Sequence, residues 1–131
     1  MIAVDTNVVV RLLTADDPAQ TALARSLFNA DEIWIAKTVL LETAWVLRSV
    51  FEFEEIEVAE ALLKLIGLDS VIAEDEDAIT SALRLVGKGV ELADAIHLFS
   101  RPSGARFVSF DKTFVQRAKR VGVEGISRIG G

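Results

Sequence analysis

The fold is decided by the first short strand and the residues that end it, Ile2-Ala3-Val4-Asp5-Thr6-Asn7. An apolar run stops here on a carboxylate, and an amphipathic stretch, residues 8–13, follows at once. A strand this short and apolar is typical of the buried centre of a parallel sheet. Because ligands bind at the carboxyl ends of such strands, we expect Asp5 to point into a crevice at that edge.

Outward from this strand, apolar runs of strand type alternate with stretches of helical periodicity. Further strands are predicted at residues 33–36, 70–73, 106–110 and 125–127. The helices predicted between them span residues 18–29, 39–51, 56–66, from 75 or 77 to 87, 91–100 and 114–121. Because strands joined through helices need crossover connections, we predict an α/β fold, a three-layer α/β/α sandwich around a central, mostly parallel sheet of about five strands.

Two of the predicted helix starts depend on capping residues. Asp17 precedes Pro18, which suits the first helical position, and Gln20 is placed to close a capping box. Thr38 is placed to cap the helix that begins at Val39.

Length and composition indicate a single globular domain over residues 1–131. Hydrophobic residues make up 51% of the chain and the mean hydropathy is +0.38, which is typical of a well-packed core. No apolar run approaches the roughly 20 residues that span a bilayer. We expect no signal peptide, because Met1 leads into the first strand without a basic segment before it. The absence of cysteine excludes disulfides, zinc–thiolate sites and thiol catalysis. We therefore expect a cytoplasmic protein without a membrane partner.

The net charge of −6 argues at first against a nucleic-acid partner, because phosphate binding requires basic surface. The charge is unevenly distributed, however. From Arg101 onward the chain has seven basic and two acidic residues, a net charge of +5, and the first hundred residues carry −11. A basic end of this kind suits an anionic substrate, although a solvated last helix explains the same composition.

Asp5 and Asp111 occupy equivalent places, since each follows a predicted strand and precedes a helix. In a parallel sheet both strand ends lie at one edge, so both carboxylates can reach the same crevice. For either residue alone, helix capping is the more common explanation, because aspartate is among the best capping residues.

Glu42 and Asp94 are harder to explain as caps. Glu42 lies about one helical turn from apolar residues on both sides. Asp94 shares a helical stripe with Val90 and Leu98, and Glu91 places a second carboxylate on the same side of that turn. Like charges this close cost energy unless water or a cation lies between them. A partly exposed acidic helix start, favoured by the helix dipole, is the alternative.

Together these residues offer oxygen ligands in a chain that has no cysteine and one histidine. Carboxylate oxygens suit Mg²⁺ or Mn²⁺ rather than zinc. Ions held in this way are the usual means of phosphodiester cleavage, because they activate water and neutralise phosphate charge. A bound cation also makes the negative net charge compatible with binding of nucleic-acid phosphates, since it inverts the local field. We expect His97 to pack or to form hydrogen bonds, because no nucleophile is paired with it.

The same residues resemble the ordered acidic motifs of PIN-domain ribonucleases, most closely those of VapC-type toxins. The likeness covers essentially the whole chain and depends on four motifs in order, Val4-Asp5-Thr6-Asn7-Val8, Thr38-Val39-Leu40-Leu41-Glu42, Leu92-Ala93-Asp94-Ala95-Ile96-His97 and Val108-Ser109-Phe110-Asp111-Lys112. The resemblance implies an α/β/α sandwich that cuts RNA with Mg²⁺ or Mn²⁺ and leaves 5′-phosphate and 3′-hydroxyl ends. It also implies a homodimer that a cognate antitoxin holds inactive, in some cases within a higher assembly.

Residue by residue, the resemblance implies a catalytic and metal-binding set made of Asp5, Glu42, Asp94 and Asp111. Glu91 stands where many relatives have aspartate, and its extra methylene leaves direct and water-mediated metal contact both open. The polar residues that match those beside the ligands are Thr6, Asn7 and Ser109. Lys112 and Arg117, near Asp111, are candidate phosphate contacts, with ordinary solvated charge as the alternative.

Other folds with acidic crevices fit less well. A receiver domain needs a paired acid at its first strand, which Asp5 lacks. A dehalogenase-type phosphatase needs a second aspartate where Asn7 stands. A catalytically silent PIN-like module that only binds RNA or a protein partner stays open as the alternative function.

Overall fold

The computed structural model describes residues 1–130. Over this range the chain forms seven helices and five short strands, in the order β1 (Ile2–Ala3), α1 (Thr6–Thr14), α2 (Pro18–Ala30), β2 (Ile33–Ile35), α3 (Lys37–Ser49), α4 (Glu55–Ile66), β3 (Val71–Ala73), α5 (Glu76–Val86), α6 (Leu92–Phe99), β4 (Phe107–Ser109), α7 (Lys112–Arg120) and β5 (Ile126–Arg128). The α/β class and the number of strands are therefore confirmed.

The chain divides into two compact units, Met1–Glu76 and Asp77–Gly131. The single domain expected from the sequence stays a prediction. Across residues 1–130, every helix falls short of the combined length and apolarity that crossing a bilayer demands.

In the first unit, β1, β2 and β3 form a parallel sheet in that order. The register pairs Ile2 with Ile33, and Ile35 with Ala73. Ile33 and Ile35 on the central strand are fully buried, as an apolar run in a parallel sheet predicts. The parallel arrangement places the carboxyl ends of all three strands at one edge, so Asp5 and Glu74 follow strands that end there.

Helices supply most of the core of the first unit. Helix α1 packs against α2 and α3, and α4 packs against α3 and β3. Their buried side chains include Val9, Val10, Phe28, Leu40, Leu47, Val58, Leu62 and Leu65. Burial of one such side chain stabilises the fold by about 1.5–3 kcal/mol, so these helical stripes hold the first unit together.

In the second unit, β4 and β5 form a parallel pair joined through α7. The register pairs Phe107 with Ile126 and Ser109 with Arg128. The rings of Phe107 and Phe114 meet edge to face with centroids 5.8 Å apart, which fixes α7 against the first residue of β4. The parallel direction of the strands is confirmed, but within residues 1–130 they form sheets of three and two strands and not one continuous sheet.

The start of α2 agrees with its predicted cap and differs in one bond. The carboxylate of Asp17 accepts a hydrogen bond from the amide of Gln20 at 3.0 Å, as predicted. The side chain of Gln20 does not close the capping box, because its oxygen accepts from Nε of Arg11 at 2.7 Å. The capping box that does form uses Glu54 and Glu57 at the start of α4.

The prediction that Thr38 caps the third helix is wrong. Helix α3 begins at Lys37, and Ala36 in the capping position supplies no side-chain bond. Instead the carboxylate of Glu74, at the end of β3, accepts from the amide of Lys37 at 2.9 Å. This acceptor lies 37 residues further along the chain, so local capping rules do not find it.

Glu74→Ala removes the acceptor for the first amide of α3. We expect the free energy of unfolding to fall by about 1 kcal/mol, the usual loss when a helix cap is removed. Urea unfolding followed by circular dichroism measures this. The exposed Thr38 provides the control, and Thr38→Ala is expected to change stability by less than about 0.5 kcal/mol. Equal losses in both variants contradict the assignment of the cap.

Candidate metal centre

Three carboxylates of the second unit lie near one another. Asp94 lies in the first turn of α6, Glu91 immediately precedes that helix, and Asp111 immediately precedes α7. Burial raises the pKa of Asp94 above its ordinary value, and the negative charges of Glu91 and Asp111 raise the pKa further. The structure therefore brings these three side chains into one electrostatic neighbourhood, which we call the acidic cluster.

The turn from β4 into α7 holds Asp111 in place. Its carboxylate accepts a hydrogen bond from the amide of Phe114 at 3.0 Å and so caps α7. Its own amide donates to the hydroxyl of Ser109 at 3.0 Å. Capping engages one carboxylate oxygen, Oδ1, and the residue itself is exposed. The capping role of Asp111 is therefore compatible with a ligand role for its other oxygen.

The two acids of α6 differ in their surroundings. Asp94 is half-buried, whereas Glu91 is exposed and makes no capping hydrogen bond with its side chain. His97 lies one turn beyond Asp94, and its positive charge lowers the pKa of Asp94 against the three raising effects. His97 is exposed, so packing is wrong for it, and hydrogen bonding, the alternative expected for it, stays a prediction.

The other predicted ligands belong to the first unit. Asp5 caps α1, and its carboxylate accepts from the amide of Val8 at 3.3 Å. Glu42 lies in the second turn of α3, and both acids are exposed. Thr6 is buried at the start of α1 and Asn7 is exposed. These residues lie on helices that pack together, α1 and α3, and their roles at a metal stay predictions.

Arg117 and Lys112, the two candidate phosphate contacts, differ in their present bonds. The guanidinium of Arg117 donates to the carbonyl of Gly89 at 2.6 Å and so holds the loop that precedes α6. Lys112 is exposed, and none of the ion pairs found within residues 1–130 involves it. Of the two cations, Lys112 is therefore the one available to an outside ligand.

The donor chemistry of the acidic cluster fits a hard divalent cation. Glu91, Asp94 and Asp111 offer only oxygen atoms, and within residues 1–130 none of them forms an ion pair with a basic side chain. In the same range, no three His, Asp or Glu side chains are grouped as a ready metal-binding set. Mg²⁺ is commonly held through one or two carboxylates while water completes its shell, which a pair such as Asp94 and Asp111 is able to provide.

The chain matches the PIN domain family over residues 2–120, and it belongs to that family. The match extends from β1 through α7, so it includes the acids of both units. PIN domains are generally nucleases that depend on divalent metals, which supports a nucleic acid as the ligand of this chain. A comparison with curated proteins found no match.

Removal of the charge of Asp94 changes how stability depends on pH. Because the pKa of Asp94 is raised in the folded protein, its ionised form opposes folding at neutral pH. That penalty is present above the folded-state pKa and disappears below the ordinary value of 3.8. In a chelating buffer, we therefore expect Asp94→Asn to be at least as stable as wild type at neutral pH and to lose this advantage in acid.

Urea unfolding at a series of pH values measures the difference between wild type and Asp94→Asn. Asp69→Asn is the matched control, because Asp69 is exposed and belongs to the first unit. A variant that is less stable than wild type by the same amount at every pH contradicts the raised pKa of Asp94.

Proposed function

We propose that this protein is a Mg²⁺- or Mn²⁺-dependent endoribonuclease that acts in the cytoplasm as the toxin of a type II toxin–antitoxin pair. The observation that carries the proposal is the acidic cluster around Asp94 in a chain of the PIN domain family. A carboxylate whose pKa is raised by burial and by two carboxylate neighbours gains more from a bound cation than an isolated one does. We therefore assign a divalent cation to this cluster as ligand, and RNA as the substrate that is cleaved there.

In this proposal Asp94 and Asp111 hold the ion, Asp5 and Glu42 complete the catalytic set, and Glu91 contacts the ion directly or through water. When bound, the ion supplies an activated water and neutralises the charge of the scissile phosphate. In this proposal water is the nucleophile and the bond between phosphorus and the 3′-oxygen breaks, so the products carry 5′-phosphate and 3′-hydroxyl ends.

The remaining residues of the proposed site keep the ligands in position. The hydroxyl of Ser109 accepts from the amide of Asp111, and the amide of Phe114 donates to the carboxylate of Asp111. These two bonds limit the motion of Asp111 before any ion binds. Thr6 and Asn7 follow Asp5 at the start of α1, and in this proposal they support its carboxylate.

The toxin role, the cognate antitoxin and the homodimer are supported by the likeness of the four acidic motifs to VapC-type toxins. Exposed apolar side chains on the first unit add to this support. Leu23 on α2 and Trp45 on α3 are 72% and 67% exposed. Large apolar side chains at the surface suit a protein partner, although single ones occur on ordinary surfaces as well.

Asp94→Asn and Asp5→Asn are expected to lower Mn²⁺-dependent RNA cleavage by about 100-fold or more, because even groups behind metal ligands contribute roughly 10- to 100-fold. Cleavage of total RNA, with and without a chelator, measures this, and labelling of the product ends tests for 5′-phosphate. Asp69→Asn is expected to cut at the wild-type rate.

Full cleavage by Asp94→Asn, or cleavage that continues in the chelator, contradicts the proposal. Full cleavage by Asp5→Asn alone removes Asp5 from the site and leaves the acidic cluster in place. Binding of RNA without cleavage by wild type, with Mn²⁺ present, favours the catalytically silent module.

Expression of the wild-type chain in a bacterial host is expected to stop growth, and expression of Asp94→Asn at the same level is not. Growth curves with matched protein amounts on immunoblots measure this. Co-expression of a small open reading frame adjacent to the gene is expected to restore growth if it encodes the antitoxin. Equal toxicity of wild type and Asp94→Asn contradicts a toxin role that depends on cleavage.

A further inference from the structure

An exposed aromatic residue directly precedes Asp111, one acid of the acidic cluster, in the chain. Phe110 lies between β4 and Asp111, and it is 74% exposed. Single exposed apolar residues are ordinary, so the meaning of Phe110 depends on its neighbours. Its carbonyl accepts a hydrogen bond from Nε of Arg128 at 3.4 Å, which places a cation from β5 next to the backbone that carries the ring.

A basic groove begins at the same place. Its volume is about 290 Å³, and it is lined by Lys112, Val115, Gln116, Lys119, Ser127 and Arg128. The polar side chains of α7 in this groove recur at the helical spacing of four and three residues, so they share one face of the helix. The strand β5, which carries Arg128, packs against α7 and forms the other wall.

The groove is the most basic part of an acidic chain. Residues 112–128 carry five basic and one acidic side chain, whereas the whole chain carries a net charge of −6. Among the ion pairs formed within residues 1–130, none involves Lys112, Lys119 or Arg128. Lys112 and Lys119 are therefore available to an anionic ligand. Arg128 is available through its terminal guanidinium nitrogens, because only its Nε donates to the carbonyl of Phe110.

We propose that Phe110 and this groove form a track for single-stranded RNA, in which the ring stacks on one base and Lys112, Lys119 and Arg128 bind backbone phosphates. The choice of RNA as the polyanion rests on the proposed function. Stacking on an aromatic ring requires a base that is free of its duplex partner, so the ligand is a single strand.

The geometry gives a reason for each part of the track. The carboxylates of the acidic cluster repel phosphates, so an RNA strand needs cations on the residues that flank the cluster. Lys112 and Lys119 are separated by about 10 Å along α7, which is long enough for more than one phosphate of a strand. Phe110 adjoins Asp111 in the chain, so a base stacked there keeps its nucleotide beside the cluster.

The first test measures the affinity for a short fluorescein-labelled oligouridylate by fluorescence anisotropy. All variants carry Asp94→Asn and are measured in a chelator, so no cleavage occurs. Phe110→Ala is expected to raise the Kd about tenfold, whereas Phe110→Trp keeps the affinity, because stacking needs only an aromatic face. The dependence of the Kd on salt is expected to stay the same in Phe110→Ala, since no charge is removed.

Leu23→Ala is the control for loss of an exposed apolar side chain, because Leu23 is exposed to a similar extent on the first unit. Unchanged affinity in Phe110→Ala overturns the stacking role. Equal losses in Phe110→Ala and Leu23→Ala also overturn it.

The second test removes the three groove cations together, as Lys112→Gln, Lys119→Gln and Arg128→Gln. The slope of log K against log salt is expected to become shallower by about 2, since each phosphate contact with a single strand contributes about 0.7. The matched control removes three exposed cations elsewhere, as Arg25→Gln, Lys64→Gln and Arg84→Gln. Equal changes of this slope in both triple variants overturn the role of the groove in RNA binding, because they show an effect of net charge alone.

The outcomes for the track and for the nuclease are separable. If wild type does not cut RNA with Mn²⁺ but binds oligouridylate through these residues, the proposed nuclease activity is contradicted and the RNA-binding track is supported. If the triple groove variant on the wild-type background cuts RNA with an unchanged KM, the RNA-binding track is contradicted and the proposed nuclease activity is supported. Tighter binding of a labelled oligoglutamate than of oligouridylate overturns RNA as the ligand and favours an acidic protein segment.

Discussion

Repulsion among carboxylates that the fold holds close together is the interaction on which the account of this protein depends. Asp94 is half-buried on α6, with Glu91 before the same helix and Asp111 before α7. Burial and these two negative charges raise the pKa of Asp94, so the cluster is electrostatically unfavourable until a cation or a proton relieves it. Sites that perform chemistry commonly store unfavourable energy of this kind, because binding of the correct ligand then releases it.

Helix capping and ligand binding are compatible uses of the same acids. Asp5 and Asp111 both cap helices, as the common explanation for an aspartate after a strand predicts. The cap on Asp111 engages Oδ1 and leaves its second carboxylate oxygen outside the cap, which is compatible with a ligand role. The stability of α7 and the geometry of the site are therefore linked through one side chain.

The fold was predictable where local pattern and tertiary structure agree. The apolar strands, the cap at Asp17 and the acidic residues after strands all follow from short-range rules, and the α/β class follows from their alternation. The cap of α3 was not predictable, because its acceptor, Glu74, follows a strand that is distant from Lys37 in the sequence. The exposure of Phe110 was not predicted, although it follows from the alternation of side chains along a strand. Val108 is exposed on β4, and alternation places residue 110 on the same side. The ligand roles of Asp5, Glu42, Glu91, Asp94 and Asp111 stay predictions.

Metal binding by the acidic cluster is tested most simply through the thermal midpoints of wild type and Asp94→Asn, measured with and without Mn²⁺. A cation that relieves the acidic cluster stabilises only the folded state, and at about 100 times its Kd it adds about 2.7 kcal/mol. We expect Mn²⁺ to raise the thermal midpoint of wild type and not that of Asp94→Asn, whose midpoint in chelator is unchanged or higher than that of wild type. Equal responses of both proteins to Mn²⁺, or a lower midpoint of the variant in chelator, contradict the acidic cluster as a metal site.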